Sequence, residues 1–216
     1  RALKKKGYKI GIVSTVSIDH ATPACFYANQ ESRNNYYDIS LQLANSNFDY
    51  FGGGGFKDAA GKKSKLDKPQ NVIELAKKNG FQVLNKPSDI LAAKQGRVIA
   101  VNSQLDADSA MPYELDRKSG ELKLSDYVKK GIELLDNPKG YFMMIESGKI
   151  DWANHANDAA SSILDTIELN NAIMEAYKVY KKHPQETLII VTGDHECGGL
   201  TIGFAGTQYS TFFNKL

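Results

Sequence analysis

Cysteine is scarce in this 216-residue chain, with Cys25 and Cys197 the two examples. Two thiols are too few for a disulfide framework. The fold must therefore rest on a packed core, which a chain of this length can bury. Long apolar runs are missing as well. None approaches the roughly 18 residues that cross a bilayer as a helix. An excess of one charge sign is also lacking, because 27 Lys and Arg face 25 Asp and Glu for a net charge of +2. That balance argues against a dedicated nucleic-acid surface. The basic run Lys4, Lys5 and Lys6 reads as a solvated helix end rather than a phosphate-binding arm. Residues 1–4, RALK, show neither an initiator Met nor the layout of a signal peptide, so the chain reads as starting inside something longer.

What is present is an alternation of strand-like and helix-like segments. Residues 8–16, 48–51, 81–84, 97–101, 141–145 and 187–192 have the short, apolar, β-rich character of strands. Helical patterns cover residues 1–6, stopped by Gly7, then 36–45, 72–78 and 124–135. Thr22-Pro23 reads as a helix start, with Thr22 as N-cap and Pro23 at the first helical position. The longest helical signal runs over 155–182, where Ala159, Ile163, Ile167, Met174 and Tyr177 recur on one broad face. Residues 102–123 are polar and irregular, and read as a cap or an excursion from the sheet. The alternation predicts an α/β fold, a mainly parallel sheet sandwiched by helices.

Chemistry gathers where expected strands end. Asp194 and His195 follow the run 187–192, and Glu146, Asp151 and His155 follow 141–145. In open α/β sheets, ligands bind beyond the carboxyl ends of the strands. Three of the four histidines lie in or near such clusters, with His183 the exception. Carboxylate plus imidazole is a zinc-binding set, and carboxylate plus hydroxyl suits magnesium. Asp151 and His155 are four apart, and converge on one ion if the turn between them is helical. A single carboxylate in such a place is more often part of a structural ion pair. Two clusters in equivalent positions favour a multi-metal hydrolase site. His20-Ala21-Thr22-Pro23 is a third group after a strand, for which plain capping is the bland alternative. Arg33 carries a fork suited to phosphate, although a lone Arg is ordinarily a surface charge.

Residues 13–24, VSTVSIDHATPA, with Arg33 downstream, resemble the H/D-A-T-P-A…R segment of the alkaline phosphatases. Residues 144–155, MIESGKIDWANH, resemble their E-G-x-x-I-D-x-x-x-H motif, with Ser147 where Gly is usual. Residues 191–195, VTGDH, resemble V-T-A-D-H, and FGGGG at 51–55 and MPYELDR at 111–117 also fit. These motifs run in the family's order over almost the whole chain. The resemblance implies that residues 1–216 are the central part of a single alkaline-phosphatase-like domain. It assigns Asp151 and His155 to a first zinc, and Asp194 and His195 to a second. Glu146 and Thr22 would ligate a third metal, usually magnesium. His20 would stand just outside that ion, and Arg33 would clamp the substrate phosphate. His20 and Trp152 replace the Asp and Lys of some members.

The resemblance further implies phosphomonoester hydrolysis through a phosphoserine. Paired zinc ions would lower the pKa of the nucleophile and stabilise the leaving oxygen. The family's D-S-A nucleophile motif lies upstream of H-A-T-P, and a closing zinc-ligand histidine lies downstream. Neither is expected in this chain, so the isolated chain is expected to be inactive. A periplasmic or secreted parent is implied, with a homodimer as one arrangement open to it. The triplet Asp108-Ser109-Ala110 imitates the nucleophile motif, but sits in an irregular stretch on the wrong side of H-A-T-P. Gly52–Gly55 lacks G-x-G-x-x-G spacing and a following helix, and reads as a tight turn. Cys197, two after His195, has two open readings, a neighbour of the zinc or a buried structural thiol. A phosphodiesterase or phosphoglycerate mutase of the same metallo-hydrolase fold is the alternative enzyme. A non-catalytic metal-binding module is the alternative from another class.

Overall fold

Residues 2–199 are described by the computed structural model, and their centre is a five-stranded sheet in the order β3-β4-β2-β1-β5. The strands are β1 (Lys9–Ser14), β2 (Tyr50–Gly53), β3 (Phe81–Leu84), β4 (Arg97–Val101) and β5 (Tyr141–Glu146). All four pairings are parallel. The helices are α1 (Ala2–Lys5), α2 (Ala21–Ala24), α3 (Tyr36–Ala44), α4 (Val72–Lys78), α5 (Pro87–Ala92), α6 (Leu124–Leu135), α7 (Gly148–His155) and α8 (Ala159–Lys182). The expected α/β architecture is therefore present.

The period of two along each strand divides the interior into two cores. Ile10, Ile12, Phe51 and Ile99 face one side, where Ile39 and Leu43 of α3 and Val72 and Ala76 of α4 cover them. Val13, Tyr50, Val98 and Ala100 face the other, against Tyr127, Val128 and Leu135 of α6 and Ala172 of α8. Burying each such side chain contributes about 1.5–3 kcal/mol, which makes this two-sided burial the main source of stability. Helix starts add local terms. The Asn71 side chain accepts from the amides of Ile73 and Glu74, a cap worth about 1 kcal/mol.

Four expectations are corrected. Residues 187–192 do not form a strand. Leu188, Ile190 and Val191 are 83%, 76% and 62% exposed, and among the described residues nothing pairs with the outer edge of β5. An apolar β-branched run becomes a strand only when a ladder and a covered face receive it. The second strand begins at Tyr50 rather than at Phe48. Just before it, the Asp49 carboxylate takes the Ile10 amide and Lys4 Nζ, while its own amide donates to the Ile10 carbonyl and its carbonyl accepts from Val98.

At α2, His20 is the N-cap residue and contributes no side-chain cap, while Thr22 and Pro23 lie inside the helix. The signal over 155–182 resolves into α7 and α8, separated at residues 156–158 by a break containing Asn157 at φ 55. The broad apolar face of α8 is not the buried one. Ile167, Met174 and Tyr177 are exposed, while Ser161, Ser162, Asp165, Glu168 and Ala172 are buried. The reason is polar docking. The Asp165 carboxylate accepts from the Glu114 amide at 3.1 Å, and Glu168 accepts from the Ser125 amide at 2.9 Å. These bonds tie α8 to residues 102–123 and to the start of α6. That irregular segment also lies on the sheet's carboxyl edge, where Met111 N–H donates to the Thr15 carbonyl.

Candidate metal centre

The site grows from two neighbouring strands that end together. Ser14 and Glu146 are register partners at the last positions of β1 and β5. Ser14 Oγ lies 2.5 Å from Glu146 Oε2, and the Thr22 hydroxyl also hydrogen-bonds this carboxylate. Burial pushes the Glu146 carboxyl up from its ordinary range. The two hydroxyls pull it down, and the charges of Asp194 and Asp151 push it up again. A half-buried carboxylate among hydroxyl oxygens and other carboxylates is a hard-cation environment. Beside it, Gly53 holds φ 115 and packs against Ser14, where an added Cβ would overlap the Ser14 carbonyl oxygen. Only glycine lets β2 end so close to this corner.

α7 starts directly after β5 and turns two ligand-type residues onto one face. Asp151 Oδ1 and His155 Nε2, one turn apart, are separated by 3.3 Å. Residues 193–199 return to the same spot. His195 Nε2 lies 3.5 Å from Asp151 Oδ1, and the His155 and His195 ring centroids are 5.8 Å apart. His195 Nδ1 faces the Glu196 carbonyl at 2.8 Å. A carbonyl can only accept, so Nδ1 carries a proton, and Nε2 is the ring nitrogen that faces the cluster. The bond to the Glu196 carbonyl and the nearby carboxylates of Asp194 and Asp151 raise the His195 pKa. Gly198, at φ 72, seats this loop on α7, where an added Cβ would overlap the Asn154 carbonyl oxygen.

Asp194 stands apart. Its side chain is 82% exposed, with Oδ2 3.9 Å from His195 Nε2. The other expected residues flank the corner. Arg33 Nη2 lies 3.4 Å from His20 Nε2. Since the guanidinium only donates, Nε2 of His20 accepts, and its Nδ1 is buried without a partner. Burial first, then the charges of Arg33 and Lys57, lower the His20 pKa to about 4. His20 meets Trp152 edge to face at 5.8 Å. His20 and Trp152 are thus in direct contact.

Sequence reasoning missed three residues here. Ser14 is invisible without the strand register. Lys149 is buried at 2% exposure, with Nζ 2.7 Å from Asp106 and facing the rings of Tyr113 and Trp152. Lys57 pairs with Asp108 at 2.7 Å. Ser109, beside Asp108, has φ 61 and accepts the Gly55 amide on its carbonyl, a loop role.

Comparison with protein families matches residues 1–215 to the family described as alkaline phosphatase. The chain belongs to the alkaline phosphatase family. Alkaline phosphatase 3 of Bacillus subtilis is 35% identical over 210 residues, covering 95% of this chain and 44% of that protein. Alkaline phosphatase of Schizosaccharomyces pombe is 30% identical, covering 94% and 40%. The chain thus spans less than half the length of these relatives. Among solved structures, the cold-active alkaline phosphatase of a psychrophilic Shewanella matches with a TM-score of 0.82 and 30% identity, over 95% of this chain and 48% of that one. A histidine-to-glutamate variant of the alkaline phosphatase of the Antarctic bacterium TAB5, with magnesium bound in its M3 site, matches with a TM-score of 0.68 and 30% identity. That match covers 83% of this chain and 50% of the other.

Proposed function

We propose that this chain is the central part of a metal-dependent phosphomonoesterase that works through a phosphoserine. One observation carries the reading. Asp151, His155 and His195 converge beside Glu146 and Thr22 at the carboxyl ends of adjacent strands, in a chain of the alkaline phosphatase family. The donor chemistry fits the metals in question. Imidazole nitrogens with one carboxylate suit zinc, and the all-oxygen corner of Glu146, Thr22 and Ser14 suits magnesium.

In this reading Asp151 and His155 serve one zinc, Asp194 and His195 a second, and Glu146 with Thr22 the magnesium. Bound there, the metals supply Lewis-acid stabilisation of the oxygens around phosphorus. The chain's own side chains bind and orient. Arg33 offers two parallel N–H donors to a phosphate. His20, kept neutral beside it, accepts from Arg33 and adds no competing donor toward the guanidinium. Trp152 backs His20 edge to face. Lys149 stays occupied by Asp106 and two rings, so its charge holds α7 in place rather than meeting substrate. The serine nucleophile and the remaining zinc ligand come from other parts of the parent, which acts outside the cytoplasm on small phosphomonoesters.

The test compares hydrolysis of an aryl phosphate monoester and the matching diester by the full-length parent, before and after exhaustive chelation. Monoester turnover that chelation abolishes is expected. Dominant diester hydrolysis, or turnover unaffected by chelation, overturns the proposal.

A further inference from the structure

Lys149 of α7 is 2% exposed, yet it carries an ammonium. Its Nζ lies 2.7 Å from Asp106 Oδ2. The same atom is 3.9 Å from the centre of the Tyr113 ring and 4.7 Å from that of Trp152. Asp106 and Tyr113 both come from the irregular segment 102–123. Asp106 is held at its other oxygen as well, where Oδ1 accepts the amides of Asp108 and Ala110, each at 2.9 Å. Thr15, just after β1, ties the two sides together. Its carbonyl accepts the Met111 amide, and its hydroxyl accepts the Lys149 amide at 3.1 Å.

From Trp152 the contacts continue to Arg33. Trp152 meets His20 with ring centres 5.8 Å apart, and His20 Nε2 accepts from Arg33 Nη2 at 3.4 Å. Arg33 itself is exposed. A long exposed side chain keeps one direction only where a contact holds it. At the other end of the chain of contacts, so buried a charge needs its carboxylate. Without Asp106, the Lys149 ammonium must leave the two rings to reach water. Trp152 then loses the cation on one side, and His20 and Arg33 lose their backing.

We infer that Asp106, acting through Lys149, Trp152 and His20, is a positioning residue for Arg33. The segment 102–123 then sets how tightly the site holds phosphate, from a carboxylate that touches neither substrate nor metal. The inference rests on the phosphatase reading and adds to it a distant determinant of phosphate affinity.

The test uses the full-length parent. It measures kcat and KM for an aryl phosphate and the inhibition constant of inorganic phosphate. Asp106→Asn keeps an acceptor for the Asp108 and Ala110 amides and removes the charge facing Lys149. It should raise KM and the inhibition constant together by roughly tenfold, with a smaller change in kcat. In an Arg33→Ala background the same substitution should shift the inhibition constant by less than about twofold, because the residue it positions is gone. A thermal melt reports loss of fold separately. Lys149→Met removes the ammonium at similar length and should repeat the pattern, which covers a failure of Asp106→Asn to fold. An unchanged inhibition constant, or the full effect retained in Arg33→Ala, overturns the inference and leaves the phosphatase reading standing. A wild-type parent that neither hydrolyses the monoester nor is inhibited by phosphate overturns both.

Discussion

Ser14 Oγ and Glu146 Oε2, 2.5 Å apart, join the ends of the interior strand β1 and the edge strand β5. The hydroxyl holds the carboxylate in one orientation. Ser14→Ala should therefore weaken magnesium binding to the parent, while costing about 1–2 kcal/mol of stability through the lost buried hydrogen bond. Magnesium titration with a parallel thermal melt checks this. Unchanged affinity would show that Ser14 serves the fold alone.

Asp151 is the atom hub of the cluster, within 3.5 Å of both histidines. Asp151→Asn and His195→Ala should each lower phosphatase turnover of the parent by at least about 10²-fold without unfolding it, because each removes charge or a donor from the metal. Steady-state kinetics in saturating zinc decide. Near-normal turnover of His195→Ala would make that histidine structural.

Gly198 predicts a mutation that acts on the site without touching a ligand. Gly198→Ala places a Cβ against the Asn154 carbonyl at a positive φ, so the loop must lift from α7. Zinc affinity should fall while far-ultraviolet circular dichroism stays as in the wild type. Wild-type affinity in this variant would contradict the docking described for residues 193–199.

Asp165 sets a pH dependence of stability away from the site. Its carboxyl is 3% exposed, and burial raises its pKa from 3.8 to about 6 against the opposing Glu114 amide bond. The folded chain thus holds a proton that the unfolded chain releases, so this group's contribution falls as pH rises from about 4 to about 6 and is level above that. Asp165→Asn keeps an acceptor for Glu114 and removes the slope. It should stabilise the chain above pH 6 by at most about 3 kcal/mol. Melts from pH 4 to 8 would show the two curves diverging; parallel curves would refute the assignment.

The isolated 216-residue chain should show no serine chemistry toward an aryl phosphate in saturating zinc and magnesium. Ser109 occupies a loop with φ 61 and a committed carbonyl. Mass spectrometry for phosphoserine decides, and a phosphate on Ser109 together with robust turnover would overturn this.

Much of this organisation was legible in the sequence. β3, β4, α4 and α6 fall where their patterns place them, because short apolar runs and helix spacing there agree with local burial. Asp151 and His155 were legible as a pair because a helical turn fixes their spacing. Ser14 was not, since its role exists only through the register of strands far apart in sequence. Which face of α8 is buried was not legible, because periodicity reports amphipathicity and not what is docked. Asp165 and Glu168 are buried for the amides they accept, while Ile167 and Met174 face outward. Residues 187–192 have strand composition without a ladder, and composition cannot supply the neighbour.

The pairing of β1 with β5 also sets a timetable for the chain during its synthesis. Ser14 and Glu146 are 132 residues apart, which at roughly 5–20 residues per second separates their appearance by about 7 to 26 seconds. β1 can zip to β2 early, but its second edge must wait for β5, and α7 arrives later still. The proposed ligands on β5 and α7 are thus the latecomers to a sheet already partly assembled. On the proposed ligand set, metal capture becomes a closing event of maturation, and an ion cannot act as the seed around which β1 and β2 first pair.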